Sequence, residues 1–485
     1  MILDFLADFW LPLMISAATV LAAVAASAHA IMYKRDTRAA IAWVGLVWLS
    51  PILGAVLYVC FGINRIERRG QRIGQAAECP VTGVATGPTP ERFREREPFA
   101  GAPGLGRLVR AIDRVTERPL LPGNQVTPLV NGEESYPAML AAIDAAERSV
   151  ALCSYIFDND RAGQEFFDAL CRAAGRGVEV RVLIDDVGAR YSRPTMLKRL
   201  RRAGLKARAF LPTRVPRLFH YANLRNHRKI LVADGRVGFT GGTNIREGHR
   251  LDWETHHPVQ DVHFRVEGPV VAHLQEVFAT DWAFCSGETL AGETWFPALV
   301  PVGDAWARGI PDGPDEDFEK LLLTLHSAVV TARSAIDVVT PYFLPDRDLI
   351  TALCVAAMQG VRVRIVLPEK NNLKLVGWAT TALLWQLLSR GCRVWYTPPP
   401  FDHTKLVLVD GLWTLFGSTN WDPRSLRLNF ELNVECYDRV LGGQLAELVE
   451  AKIASGREVT LAEVDGRGIP VRLRDGAARL LQPYL

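Results

Sequence analysis

The 485-residue chain has almost no excess of charge of either sign and no cysteine pattern of the kind that binds metal. Lys and Arg total 56 against 53 Asp and Glu, which leaves a formal net charge of +3. Without a strong positive field, bulk binding of nucleic acid has no electrostatic basis, and we expect no nucleic-acid partner. The 8 Cys show no paired Cys-x-x-Cys spacing and lie mostly among apolar residues. They therefore indicate buried thiols rather than zinc ligands or a disulfide framework.

No Lys or Arg precedes Lys34, and two long stretches near the start carry no charged side chain. These stretches run from Phe9 to Tyr33 and from Ala39 to Asn64. Each exceeds the roughly 20 residues that span the hydrocarbon core of a bilayer. A cleaved signal peptide is the alternative for the first stretch, although signal peptides begin with basic residues. A buried core helix is the alternative for the second, and we interpret the pair as a transmembrane hairpin.

A pattern of His, Lys and Asp occurs twice in the chain, with 176 residues between equivalent positions (403 − 227). The members, in order, are His227, Lys229 and Asp234 in the first copy, and His403, Lys405 and Asp410 in the second. The same register continues downstream, where Gly241, Gly242 and Asn244 correspond to Gly417, Ser418 and Asn420. An ordinary exposed strand could carry one such set by chance. Two sets in one register indicate a duplicated unit whose copies each contribute half of a phosphate-handling site.

The residue types of the pattern suit phosphate chemistry at one end of a β-hairpin. His can act as a nucleophile or a general acid near neutral pH. Lys two positions later on an extended strand points to the same face. The Asp-Gly pairs at Asp234 and Asp410 predict hairpin turns, and each returning strand ends in small residues and an Asn amide. Two facing hairpins would surround one phosphodiester with two imidazoles, two ammonium groups and two amides.

These residues resemble the HKD motifs of the phospholipase D superfamily. The resemblance implies that one His attacks phosphorus to form a phosphohistidine while the other protonates the leaving alcohol. It makes His227 the nucleophile and His403 the general acid. The groups that would hold or support the phosphoryl oxygens are Lys229, Lys405, Asn244, Asn420, Gly242 and Ser418. Because ammonium and amide groups take the place of metal ions, we expect no cofactor.

The family also places a carboxylate after each motif to orient a His. Glu431 fits this role 21 residues after Asp410 (431 − 410). The first copy has Thr255 at that spacing, so it implies an insertion and leaves Asp261 as a candidate. Asp234 and Asp410 belong to the motif, but the turn and the strand alternation carry them away from the His end. We expect these two carboxylates to be structural.

Other segments are similar to bacterial cardiolipin synthases, and the similarity covers essentially the whole chain. The segments are 41–43, 51–54, 58–65, 154–157, 223–229 and 340–343. The resemblance implies a multi-pass protein of the bacterial inner membrane. It also implies that two phosphatidylglycerol molecules become cardiolipin and glycerol, with anionic phospholipids as the partners. The oligomeric state stays open.

The expected fold class is α/β, with two tandem phospholipase D-like domains that share a central active site. The apolar segments 178–182 and 361–365 are nearly identical in pattern, 183 residues apart (361 − 178). Strands that alternate with helices indicate a sheet with both faces covered. The predicted parts are a membrane hairpin at 1–64, a linker with a short helix at 65–123, and the two domains at 124–300 and 301–485.

Several charged groups near the motifs allow more than one interpretation. Six arginines are either surface residues or guides for anionic headgroups: Arg225, Arg228, Arg246, Arg250, Arg424 and Arg427. Four histidines, His249, His256, His257 and His263, match no known metal-ligand spacing, so we expect no metal. A phosphodiesterase that uses water and a catalytically silent membrane scaffold are the alternative functions. Two complete motifs argue against the scaffold.

Overall fold

The computed structural model describes residues 2–34, 37–62, 104–212, 224–314 and 317–484. Most of the predicted linker, residues 65–103, lies outside this range. The described residues fall into an N-terminal helical unit and a larger α/β unit, which are treated separately below.

The N-terminal unit contains three helices, α1 (Ile2–Tyr33), α2 (Thr37–Leu49) and α3 (Pro51–Leu57), followed by a π-helical turn, Tyr58–Gly62. Within the described residues, one helix is long and apolar enough to cross a bilayer, Pro12–Tyr33. The second predicted span is helical, but its helix is interrupted after Leu49. The interruption occurs because Pro51 has no backbone N–H to donate to the preceding turn. The structure therefore supports one candidate span, and a membrane hairpin with a second span stays a proposal.

The α/β unit is built from these strands and helices. The strands are β1 (Leu121–Val130), β2 (Ser149–Ser154), β3 (Glu179–Asp185), β4 (Lys206–Phe210), β5 (Ile230–Ala233), β6 (Val237–Gly241), β7 (Val259–Gln260), β8 (Val262–Glu267), β9 (Ala305–Asp312), β10 (Ala335–Val339), β11 (Arg362–Pro368), β12 (Arg393–Thr397), β13 (Phe401–Asp402), β14 (Leu406–Val409), β15 (Trp413–Gly417), β16 (Glu431–Tyr437) and β17 (Arg457–Val459). The helices are α4 (Leu105–Thr116), α5 (Asn131–Ala145), α6 (Arg161–Gly175), α7 (Met196–Arg202), α8 (Val271–Ser286), α9 (Lys320–Thr331), α10 (Arg347–Met358), α11 (Lys374–Thr381), α12 (Leu384–Leu388), α13 (Pro423–Arg427), α14 (Arg439–Ser455), α15 (Leu461–Asp465) and α16 (Ile469–Leu480). Three 3₁₀ turns complete the unit: Gly188–Arg190, Glu247–His249 and Gln482–Tyr484.

One mixed sheet runs through both halves of this unit. Its strand order is β17-β12-β11-β10-β14-β15-β16-β9-β1-β8-β6-β5-β2-β3-β4. The order of the first half, read outward from β1, repeats in the second half, read outward from β9. The antiparallel pair β1 and β9 joins the halves. The predicted α/β class and the duplication are confirmed, and the domain boundaries near residues 124 and 301 stay a proposal.

Three hydrophobic cores cover the sheet. In the first half, one face of the sheet packs against α5, α6 and α7. In the second half, one face packs against α4, α9, α10 and α11. The remaining face of each half contributes to the third core, which also contains residues of α8 and α14. In that shared core the rings of Phe264 and Phe416, one from each half, stack with centroids 3.8 Å apart. Shared apolar burial therefore holds the two motif hairpins in one body.

Both motif hairpins form as the sequence predicts. Strands β5 and β6 pair antiparallel, as do β14 and β15. The turns place Asp234 and Gly235 at φ values of 52° and 64°, and Asp410 and Gly411 at 53° and 65°. These left-handed conformations belong to the two-residue hairpin turn that Asp-Gly favours.

Two long apolar runs form strands over only their first part. The apolar runs 150–157 and 336–343 leave the sheet after Ser154 and Val339. Beyond those points the chain pairs with single residues, at Phe157 with Ile245 and at Phe343 with Trp421. Apolar periodicity did not reveal the change of direction because both segments remain buried.

We expect Asp410→Ala to lower the free energy of unfolding by about 2 to 4 kcal/mol. The carboxylate accepts backbone hydrogen bonds from Arg333, Ser334 and Ala335 at 2.7 to 2.9 Å, and Ala disfavours a φ of 53°. The measurement is thermal unfolding of the purified chain in detergent. Asp410→Asn, which keeps one acceptor and tolerates the turn, should lose less. Equal melting temperatures for Asp410→Ala and the exposed-site control Asp465→Ala would contradict the assignment.

Candidate active site

The histidine of each motif precedes its strand by three residues and is fixed by a backbone hydrogen bond to the other half of the unit. The amide of His227 donates to the Phe430 carbonyl at 2.9 Å, and the amide of His403 donates to the Gln260 carbonyl at 2.8 Å. Strands β13 and β7 form a two-stranded parallel sheet that carries the second of these contacts. The two imidazoles therefore meet at the interface between the halves.

Each imidazole is held by a carboxylate of the opposite half. Nδ1 of His227 lies 3.0 Å from the Glu431 carboxylate and 3.1 Å from the Ser418 carbonyl. Nδ1 of His403 lies 2.8 Å from the Asp261 carboxylate. A carboxylate on Nδ1 fixes the proton there and leaves Nε2 as the nitrogen that can attack or transfer a proton. The crossed arrangement answers a question that the sequence left open, since Glu431 holds the His of the first motif.

The two carboxylates occupy equivalent positions despite their different spacing from the motifs. His263 pairs with Gly241 in the first half, and Asn433 pairs with Gly417 in the second. Asp261 and Glu431 each stand two residues before these partners (263 − 261 and 433 − 431). The six extra residues in the first copy (27 against 21 after the motif Asp) lie before β8 and hid this match.

The neighbouring small residues are matched to the length of each carboxylate. A Cβ on Gly242 would overlap the Asp261 carboxylate, so the shorter acid and the glycine fit together. In the second half the Ser418 hydroxyl donates to Glu431, and the Leu432 amide donates to the Ser418 hydroxyl at 3.0 Å. Gly242 and Ser418 therefore support the carboxylates.

Both motif lysines are buried beside the histidines. The Lys229 ammonium donates to the His227 carbonyl at 2.6 Å, and the Lys405 ammonium donates to the His403 carbonyl. Burial lowers the pKa of Lys229 to about 7 and that of Lys405 to about 8. Each ammonium has three donors, and the bond described uses one of them.

Burial also sets the charge states of the two histidines. It lowers the pKa of His227, against the Glu431 charge that raises it. It lowers the pKa of His403 well below the usual value, and the charges of Lys405 and Lys229 lower it further. Although burial raises the pKa of Glu431, the nearby His227 charge and hydrogen bond bring it below its usual value. Both imidazoles are therefore neutral near pH 7 before an anion enters.

A cavity of about 380 Å³ opens onto both imidazoles. The amides of Asn244 and Asn420 line it, as predicted from their place after the motifs. The side-chain oxygen of Asn244 accepts a hydrogen bond from the Ile156 backbone amide at 3.2 Å, which leaves the side-chain NH₂ group as a donor. Three of the six arginines, Arg225, Arg246 and Arg424, also line this cavity.

Other predicted residues lie away from the cavity. Asp234 accepts hydrogen bonds from the backbone amides of residues 147–149, and Asp410 caps residues 333–335 in the same way. Both carboxylates brace the far end of the hairpin, as their position after the strand predicts. Of the remaining arginines, Arg228 pairs with Asp281 at 2.6 Å and Arg250 with Asp252 at 2.7 Å. Arg427 lies 4.0 Å from Asp346.

One of the four clustered histidines lies at the cavity. Among the described residues, no group of three or more His, Cys, Asp or Glu side chains could hold a metal ion. His249 instead lines the cavity, and its ring centroid lies 6.4 Å from that of His403. Its Nε2 accepts from the Asn244 amide at 3.3 Å. The internal register could have identified this residue, because it stands at the position of Ser425, five residues after each Asn (249 − 244 and 425 − 420).

Aromatic side chains that the sequence did not assign to the site complete the cavity. The ring of Tyr155 lies 5.1 Å from that of His227, and the ring of Tyr342 lies 6.5 Å from that of His403. Both tyrosines follow the early ends of β2 and β10 noted above. Only the exit of those segments from the sheet turns them toward the cavity.

Comparisons with known proteins agree with this geometry. A family described as "Cardiolipin synthase, PLD-like domain" matches residues 139–282 and 325–455, and "Phospholipase_D-nuclease N-terminal" matches 21–62. The cardiolipin synthase of Geobacillus kaustophilus is 32% identical over 93% of this chain and 90% of its own length. The major cardiolipin synthase ClsA of Bacillus subtilis is 30% identical over 93% of this chain and 95% of its own length. The phosphatidylserine synthase structure of Haemophilus influenzae superimposes with a TM-score of 0.62 at 16% identity, over 78% of this chain and 100% of its own, which shows the shared fold.

We expect a phosphate-like oxyanion such as tungstate to take up protons when it binds. Burial lowers the pKa values of Lys229 and Lys405 to about 7 and about 8, and a bound anion would raise both. Affinity should therefore fall as pH rises from 7 to 9. Isothermal titration in two buffers of different ionisation heat measures the uptake. Lys229→Arg, which stays charged throughout this range, should take up fewer protons. Proton release, or affinity independent of pH, would contradict the cationic site.

Proposed function

The chain belongs to the cardiolipin synthase family of the phospholipase D superfamily, and we propose that it transfers a phosphatidyl group between two phosphatidylglycerol molecules. The products are cardiolipin and glycerol. One observation carries the proposal. Two imidazoles, each held at Nδ1 by a carboxylate of the opposite half, open onto one cavity that is also lined by amides and arginines.

In the first half-reaction Nε2 of His227 attacks the phosphorus of the donor lipid. The bond between phosphorus and the glycerol headgroup breaks, and His403 gives its proton to the departing oxygen. The anionic phosphodiester supplies the condition for this step, because its charge raises the pKa of His403 and allows the imidazole to be protonated. Ionised Glu431 stabilises the positive charge that His227 gains.

In the second half-reaction the primary hydroxyl of the acceptor lipid attacks the phosphohistidine. Neutral His403 takes the hydroxyl proton, the phosphorus–nitrogen bond breaks, and His227 returns to its starting state. Lys229, Lys405, Asn244 and Asn420 hold the non-bridging oxygens in both steps. These assignments rest on the equivalence of the two motifs, on the positions of the histidines and asparagines at the cavity, and on the burial of the two lysines beside the histidines.

The proposed substrate requires contact with a membrane. Helix α1 contains a segment long and apolar enough to cross a bilayer, Pro12–Tyr33, and we propose that residues 39–62 form a second membrane-embedded segment. A two-span anchor in the bacterial inner membrane would keep the catalytic unit where lipid headgroups are dense and water is a poorer competitor.

Purified protein in phosphatidylglycerol liposomes should release cardiolipin and glycerol in about equal amounts. The bond broken and the bond formed are nearly equal in energy, so added glycerol should reverse the reaction. Product analysis by thin-layer chromatography and a glycerol assay measures both. If phosphatidic acid dominates at every lipid density, the acceptor is water and the enzyme is a phospholipase D-type hydrolase.

Replacement of His227 or His403 by Ala should each lower turnover by several orders of magnitude. The two variants should differ with an activated substrate whose leaving group needs no proton. On such a substrate, His403→Ala should still release the leaving group and trap a covalent phosphohistidine, whereas His227→Ala should not. Mass spectrometry of the trapped peptide locates the adduct. An adduct on His403 would exchange the two roles.

A further inference from the structure

Helix α16 carries a stripe of large apolar side chains that the described part of the chain leaves uncovered. Ile469, Leu473 and Leu480 are 72%, 69% and 80% exposed. With about 3.6 residues per turn, these three positions fall within about 40° of one another around the helix axis. On the opposite side Asp475 and Ala478 are buried against the protein. A helix docked by one face therefore presents an apolar stripe on the other.

Basic side chains border this stripe. Arg472 and Arg479 are exposed and lie on the same flank, about 60° to 100° from it. Within the described residues the structure shows no ion pair for either of them, whereas Asp475 is bonded to Arg467 and Arg474. Residues 469–484 hold three Arg and one Asp, a formal charge of +2 (3 − 1). An apolar stripe with a basic flank is the pattern of helices that lie in the interface of an anionic bilayer.

Helix α16 is connected to the active-site cavity through its contact with α11. Helix α16 packs against α11, with the Arg474 guanidinium 4.5 Å from the centroid of the Trp378 ring. Leu373, immediately before α11, lines the cavity and is also 50% exposed, and Leu375 is 43% exposed. Apolar exposure thus continues from the neighbourhood of α16 to the cavity mouth.

The turn that follows α16 provides a second connection to the cavity, through α13. The turn Gln482–Tyr484, which follows α16, packs against α13, and the Gln482 amide donates to the carbonyls of Leu344 and Pro345 at 3.0 and 3.1 Å. Helix α13 contributes Arg424 to the cavity lining. Both neighbours of α16 therefore supply walls of the active site.

We propose that α16, together with Leu373 and Leu375, is a docking face that holds the cavity mouth against the surface of an anionic phospholipid bilayer. The proposal rests on the proposed function, because a phospholipid substrate must reach the cavity from that surface. It assigns bilayer contact to the catalytic unit itself, in addition to the N-terminal anchor. A second copy of this chain is the competing occupant of the stripe.

Photo-crosslinking tests the contact without turnover. The full chain is reconstituted in vesicles of phosphatidylglycerol and phosphatidylcholine, with a benzophenone amino acid at position 473 or 480. Matched controls carry it at Val330 on α9 or Val440 on α14, which are 79% and 71% exposed. Lipid adducts should form at positions 473 and 480 several-fold more than at the controls. Chain-to-chain adducts at 473 and 480, or equal lipid labelling at all four positions, would overturn the proposal.

Enzyme kinetics test the docking face in a second experiment. The double variant Leu473→Asp with Leu480→Asp should raise the apparent KM for long-chain phosphatidylglycerol in vesicles several-fold. It should leave turnover of dispersed short-chain phosphatidylglycerol unchanged, as should the control Val330→Asp on both substrates. Unchanged kinetics on vesicles would overturn the docking role. If the unmodified protein makes no cardiolipin, the proposed function fails while the crosslinking result still decides the bilayer contact.

Discussion

The two carboxylate–imidazole pairs that cross between the halves are the interaction on which the site depends. Glu431 holds His227, and Asp261 holds His403, each at Nδ1. Neither half can therefore orient its own imidazole, and the site exists only when both halves pack together. The continuous sheet through β9 and β1 and the shared core under it supply that packing.

The two halves have similar backbones, but they differ in the side chains that support the histidines. Gly242 with Asp261 in one half corresponds to Ser418 with Glu431 in the other, so each pair keeps the carboxylate at its imidazole by different means. The Ser418 hydroxyl gives Glu431 a further hydrogen bond, and the pKa of Glu431 falls while burial raises that of Asp261. This difference between the halves suits a reaction in which one His forms a covalent bond to phosphorus and the other transfers a proton.

Four ionisable bases are buried together, two histidines at the cavity and two lysines beside them. The pKa values of both histidines and both lysines lie below their usual positions, because water has been excluded and like charges are close. The negative charge of a phosphodiester would raise these pKa values again. The docking face proposed on α16 would bring the source of that anion, a lipid surface, to the cavity.

The sequence by itself determined the duplication, the two Asp-Gly hairpins and the His, Lys and Asn residues at their ends, because these are local patterns with a fixed register. It also indicated the structural role of Asp234 and Asp410, which strand alternation carries away from His. Only the tertiary structure assigned Glu431 to His227 and Asp261 to His403, since an insertion broke the register and the pairs cross between halves. The tertiary structure also brought Tyr155 and Tyr342 to the cavity. Their positions depend on where buried segments leave the sheet, and burial alone does not encode that direction.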